Sequence, residues 1–159
     1  MKLNKSAEQA IYVLTILALS KDHRPVKSQV LSQILEVKDS YLKKILMKLS
    51  KAGLVHATIS KQGGYQLAMP VERIGLGQVL EALDSAERPL KFSHLGLRIY
   101  EDADHVAEGE GKIRRALSRG EEAYYKQLNG LKVSELLYQE AYEQGTIDWE
   151  AKVGEEGQV

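Results

Sequence analysis

Apolar residues recur every three to four positions along most of this chain and every two in one stretch. The first helical stretch can be capped by Asn4 or Ser6 and runs to about Ser20. Its apolar residues, Ala10, Ile11, Val13, Leu14, Ile16, Leu17 and Ala18, cover most of the circumference, which predicts a buried helix. A polar loop at 21–25 ends in proline. Residues 26–35 predict a second helix with Val30, Leu31, Ile34 and Leu35 inward. A break at 36–38 precedes a third, capped by Asp39 and ending near Ala52-Gly53. At 100° per residue, Leu42, Ile45, Leu46 and Leu49 of this third helix fall within one quadrant. Ser40, Lys44, Met47 and Lys51 point the opposite way, flanked by Tyr41, Lys43 and Lys48. A solvated helix normally mixes signs to form i,i+4 pairs, but this face has lysines and no acidic residue after its cap.

From Leu54 the period shortens. Residues 54–60 and 65–68 read as strands joined by Lys61-Gln-Gly-Gly64, a β-hairpin with Lys61 and Gln62 at its tip. Pro70 and Gly75 bracket a linker, and 76–83 predicts a short helix with Leu76, Val79, Leu80 and Leu83 inward. Residues 85–102 have no assignable period. A long helix follows over 103–128, with a thin seam of Ala103, Val106, Ile113, Leu117, Tyr124 and Leu128 that Glu110 and Gly120 interrupt. Asn129-Gly130 ends it, and Ser134 can cap a last helix from 135 to about 143. Residues 154–159 carry too little apolar content to bury and are expected to be disordered.

Composition changes this picture at two points. Lys+Arg and Asp+Glu balance at 22 each, but residues 1–70 carry +7 and residues 71–159 carry −7. A basic half joined to an acidic half suggests a polyanion-binding module attached to something else. The absence of cysteine excludes disulfides, a thiolate nucleophile, Cys-ligated zinc and an all-Cys iron–sulphur cluster. The longest apolar run, 10–19, is too short to span a bilayer and lacks the flanks of a signal peptide, so a cytoplasmic location without a membrane partner is expected.

Three helices, a hairpin and a basic third helix make the fold class mainly α with a small β-hairpin wing, a winged helix-turn-helix. A helix fits the major groove of double-stranded DNA, its first turns reaching base edges while neighbouring lysines neutralise phosphates. Ser40, Tyr41 and Lys44 occupy those turns. Lys43 or Lys44 suits guanine O6 and N7, Met47 a thymine methyl, Ser40 and Lys48 the backbone. Lys61, Gln62, Gly63 and Gly64 of the wing and Ser28 at the second helix complete the candidate contact set.

Ser40-Tyr-Leu-Lys-Lys-Ile-Leu46, Leu49, Ala52-Gly-Leu-Val55 and Gly63-Gly-Tyr-Gln-Leu67 also resemble the signature of the IscR/NsrR/CymR (Rrf-type) bacterial transcription regulators. Ile74-Gly-Leu76 and Val133-Ser-Glu-Leu-Leu137 extend the resemblance over about 3–138. It implies a homodimeric DNA-binding regulator, with Val106, Ile113, Leu117, Tyr124 and Leu128 of the long helix forming the dimerisation seam. The organisation is then a winged domain at 1–83, a dimerisation and effector-sensing segment at 84–143, and a tail at 144–159. Two departures stand out. The wing arginine and Gly-Pro-Gly common in the family are replaced by Ile59, Ser60, Lys61 and Gln62. The three cysteines of cluster-binding members are missing, which places this chain with cysteine-free members such as CymR.

Other chemistry is less well supported. His94, Glu101, Asp102, Asp104 and His105 lie where the family's cysteines would, but form no metal motif, so no metal or other cofactor is expected. Phe92, Leu95, Leu97, Ile99 and Tyr100 are expected to pack as core, a small-molecule pocket being their other use. An effector, small molecule or protein, would act on 85–105 or the long helix. Ser40-Tyr-Leu-Lys43 matches S-x-x-K without its companion motifs, and Gly75-Leu-Gly77 lacks the third glycine of a phosphate loop, so no catalytic residue is assigned. The alternative from another class is a protein-interaction adaptor that uses the winged helix as a binding module.

Overall fold

A computed structural model describes residues 3–84 and 90–156. Helix α1 (Lys5–Leu19) is the central post of the fold. Asn4 caps it, its side chain accepting from the Ala7 amide at 2.7 Å, and Ala10, Val13 and Leu14 are fully buried. Against it packs α3 (Asp39–Lys51), α2 (Ser28–Ile34) packs on α3, and Leu31, Leu42, Leu46 and Leu49 lie in the shared core. Strands β1 (Val55–Thr58) and β2 (Gly64–Leu67) pair antiparallel, Val55 opposite Leu67 and Thr58 opposite Gly64. Helix α4 (Leu76–Asp84) closes this core with Val79 and Leu83. The mainly helical fold with a two-stranded wing is the expected one.

The second helix starts two residues later than its apolar period predicts. Val26 is used as strand instead: its amide donates to the Tyr65 carbonyl at 3.0 Å and its carbonyl accepts from the Tyr65 amide at 2.8 Å. The wing is thereby hydrogen-bonded to the segment that leads into α2.

Helix α5 (Ala103–Leu128) is joined to α4 by close backbone packing. A Cβ on Gly77 would meet the Tyr125 carbonyl, and one on Gly75 would meet Asn129. Asn129 Oδ1 accepts from the Gln78 amide at 2.8 Å, and the Val133 amide donates to the Ile74 carbonyl at 2.9 Å. Gly75-Leu-Gly77 is thus a helix-packing element. Tyr125 also donates its hydroxyl to Asp84 at 3.0 Å, and burial together with that carboxylate pushes its pKa up. Along the rest of α5 only Val106 is buried, against Gly96.

The C-terminal part departs most from expectation. Residues 135–143 do not form one helix capped by Ser134. A 3₁₀ turn at Val133–Leu136 is held by the Glu135 carboxylate, which accepts from the Lys132 amide at 2.6 Å; Leu137 is extended, and α6 (Gln139–Gln144) begins afresh. Disorder from Gly154 onward is also corrected as far as Glu156, because these residues end α7 (Trp149–Glu156). The chain's one tryptophan anchors that helix, its Nε1 donating to the Ile16 carbonyl at 2.9 Å inside the core. Residues 157–159 lie outside the described part, as do 85–89. Among the described residues, no helix is long and apolar enough to cross a membrane.

Candidate nucleic-acid interface

Burial of Leu42, Ile45, Leu46 and Leu49 fixes which way α3 faces, and Ser40, Tyr41, Lys43, Lys44 and Met47 are exposed on its outer side. Met47 is 63% exposed, more than a methionine with only a packing role requires. Among the described residues, Lys44 has no acidic partner.

Lys43 does have one, which corrects the expected unpaired face. Asp39 is not the cap but the first residue of α3, behind Lys38, and its Oδ2 lies 2.8 Å from Lys43 Nζ in an i,i+4 pair. The Lys43 ammonium and then the Ser28 hydroxyl hold the Asp39 carboxyl below the usual carboxylate range, and Asp39 in turn raises the Lys43 pKa. A carboxyl with a lowered folded pKa contributes stability above its unfolded value and loses it as pH falls through the folded one. At neutral pH the pair is therefore intact, and it opens only in acid. Asp39→Asn is expected to free Lys43, strengthen duplex binding by about two- to fivefold and steepen its salt dependence, the range of an exposed ion pair. Titrating a labelled duplex at several salt concentrations checks this; weaker binding would mean that Asp39 itself contacts DNA.

Lys48 is half-buried and turned inward, its ammonium donating to the Leu83 carbonyl at 3.2 Å at the end of α4. It ties α3 to α4 rather than standing on the outer face with Lys44.

Lys61 and Gln62 are exposed at the wing tip beside Ile59, whose side chain is fully exposed. Gly63 and Gly64 behave differently from these. A Cβ on Gly64 would lie 2.6 Å from the Val26 carbonyl, and one on Gly63 would lie 2.8 Å from the Ser60 carbonyl oxygen. Neither residue has a positive φ, so space and not backbone freedom requires glycine. Both let the wing close onto itself and onto Val26.

A concavity of about 320 Å³ separates α2, α3 and the wing, lined by Lys27, Ser28, Gln29, Lys43, Thr58 and Tyr65. It brings Ser28, an expected contact, together with Lys27 and Gln29, for which the sequence carries no such expectation. The cue available was the Lys27-Ser28 step, hidden because the helix was expected to start at Val26.

On α5, Ile113 and Leu117 are 50% and 54% exposed, Tyr124 and Leu128 are half-buried, and Val106 is covered by its own chain. In the segment before it, Leu95, Leu97, Ile99 and Tyr100 are exposed and not core as expected; only Phe92 is half-buried. Phe92, Leu95 and Tyr100 border a cavity of about 490 Å³ with His94, Val106 and Ile113, whereas Leu97 and Ile99 do not line it. Three of the five candidate metal-binding side chains are otherwise engaged. His94 Nδ1 is 2.9 Å from Glu110, His105 meets the edge of Tyr100, and Asp102 caps α5. Among the described residues no three His, Asp or Glu side chains converge on a metal position.

The profile of the Rrf2 family, described as an iron-dependent transcriptional regulator, matches residues 3–139. Slr0846 of Synechocystis is 36% identical over 89 residues, 56% of this chain and 60% of that protein. The HTH-type transcriptional regulator IscR of Aliivibrio salmonicida is 33% identical over 86 residues, 54% of this chain and 51% of that protein. The chain thus spans between half and two thirds of these relatives. Among solved structures, CymR, the global cysteine regulator of B. subtilis, superposes with a TM-score of 0.57 at 20% identity, over 86% of this chain and 95% of that one. At that identity the likeness is one of fold.

Proposed function

Because the chain belongs to the Rrf2 family of winged-helix transcription regulators, we propose that it binds double-stranded DNA as a homodimer and represses transcription from a palindromic operator. The observation that carries this reading is the outer face of α3, where Ser40, Tyr41, Lys44 and Met47 are exposed beside a wing pinned to Val26. Ser40 and Tyr41 in the first turn and Lys44 in the next are placed for base edges, Met47 for a thymine methyl, and Lys43 and Lys61 for phosphates. Pairing through Ile113, Leu117, Tyr124 and Leu128 of α5 sets two α3 helices in successive major grooves about 34–36 Å apart. An effector, small molecule or protein, acting on the cavity beside 90–105 shifts that spacing and with it the affinity.

The family's description invokes iron, and the residues present do not fit it. The chain has no cysteine, and His94, His105 and Asp102 are spent on Glu110, on Tyr100 and on the helix cap. Regulation is therefore ascribed to a ligand or partner and not to a cluster held by this chain.

Selection of duplexes from random fragments with the purified protein, followed by a salt titration, tests the reading. A recovered palindrome is expected. Lys44 and Lys61 in two subunits give a log–log slope of about −4, which release of Lys43 from Asp39 steepens. Failure to enrich any sequence, with weak binding indifferent to salt, would favour an adaptor that uses the same fold to bind protein.

A further inference from the structure

The acidic end of the chain returns to the basic face. Between α6 and α7 the backbone is bonded to the segment after α1: the Ile147 amide donates to the Leu19 carbonyl at 3.0 Å, and the Lys21 amide donates to the Ile147 carbonyl at 2.8 Å. This arrangement and buried Trp149 place Asp148 3.3 Å from Arg24 and Glu150 3.7 Å from Lys27. Arg24, Lys27, Asp148 and Glu150 border one cavity of about 220 Å³ together with wing residue Gln62. Lys27 also lines the concavity between α2, α3 and the wing that contains Ser28 and Lys43. A cationic track thus runs from Lys43 past Lys27 to Arg24, and each of these cations already faces a carboxylate of the same chain, Lys43 one of its own helix and the other two carboxylates from the C-terminal end.

We infer that Arg24 and Lys27 form a backbone-phosphate subsite continuous with the α3 face, and that Asp148 and Glu150 occupy it in place of phosphate until DNA arrives. This rests on the DNA-binding reading. All four side chains are between 41% and 59% exposed, so each pair is weak and a phosphate can displace a carboxylate without moving the helix. Trp149, buried and hydrogen-bonded, keeps α7 in place while the exchange occurs. The carboxylates act as a standing brake. They weaken binding to every duplex alike, because phosphate contacts position the protein without reading sequence.

The test uses the full chain with Asp148→Asn and Glu150→Gln together. Asparagine retains the oxygen that accepts from the Ala151 amide at the start of α7, and Trp149 emission reports whether α7 stays docked. With emission unchanged, the double variant is expected to bind operator and unrelated duplexes equally more tightly, by roughly threefold or more. Its salt slope should steepen by up to about 0.9 for each freed cation. Arg24→Gln with Lys27→Gln is expected to weaken both duplexes and to abolish the gain. Unchanged or weaker binding by the Asp148→Asn/Glu150→Gln protein, while Lys44→Glu still destroys operator binding, would overturn the subsite and leave the DNA reading intact. Binding by neither the natural chain nor the double variant would overturn both.

Discussion

Lys44→Glu is expected to lower operator affinity by about 100-fold or more and to leave the melting curve unchanged. The side chain stands on the outer face of α3 with no acidic partner among the described residues, so reversing its charge removes no intramolecular contact. Surface changes of that kind move stability by only about 0.5 kcal/mol. Binding is affected much more. A well-placed cation at a base edge is worth about 1–3 kcal/mol, in the proposed dimer it acts once in each of two subunits, and glutamate adds repulsion of the phosphates. Thermal melting and duplex titration on the same preparation separate the two effects. Met47→Ala should be milder and confined to operators with a thymine at the contacted step. Full retention of sequence-specific binding by the Lys44→Glu protein would move the reading face away from α3.

Gly64→Ala is the second large effect, and it reaches binding through the fold. The added methyl falls 2.6 Å from the Val26 carbonyl and 2.9 Å from the Lys27 amide nitrogen, both backbone atoms that cannot swing aside. Either β2 or the strand at Val26 must shift, straining the two Val26–Tyr65 hydrogen bonds of 3.0 and 2.8 Å. Overpacking of this kind costs about 1–3 kcal/mol. Because Lys27 follows Val26 directly and the wing tip follows β2's lead, the displacement also disperses the phosphate track. Urea unfolding should show a lower midpoint, and duplex affinity should fall further than stability alone explains. Normal unfolding with normal binding would mean that the wing is not held at Val26.

Periodicity made α1, α3, the hairpin and α5 legible, because each has an apolar set at one spacing long enough to be counted. It misplaced the start of α2, since Val26 suits either a helix interior or an edge strand and only Tyr65, far along the chain, decides. Local charge counting made Lys44 visible but misread Lys43 and Lys48. Asp39 has the side chain of a cap, but its carboxylate lies on Lys43, and Lys48 sits at the margin of the apolar quadrant, close enough to reach Leu83. Gly63 and Gly64 belong to a legible signature, but their reason, backbone approaching backbone, is tertiary and leaves no trace in composition. The C-terminal helix was missed for a related cause. Its burial depends on one tryptophan entering the core and bonding Ile16, 133 positions earlier.

The tight seating of α4 on the end of α5 has a mechanical consequence. Asn129 on Gln78, Tyr125 on Asp84 and Lys48 on Leu83 connect α5 through α4 to α3, so the three helices turn as one piece. A 26-residue helix is a rod of about 39 Å, and tilting it by about 5° carries its far end about 3 Å. That is close to the rise of one base pair, ~3.4 Å along a strand. In the proposed dimer, a few degrees of scissoring between two such levers is then enough to put the two reading heads out of step with their half-sites.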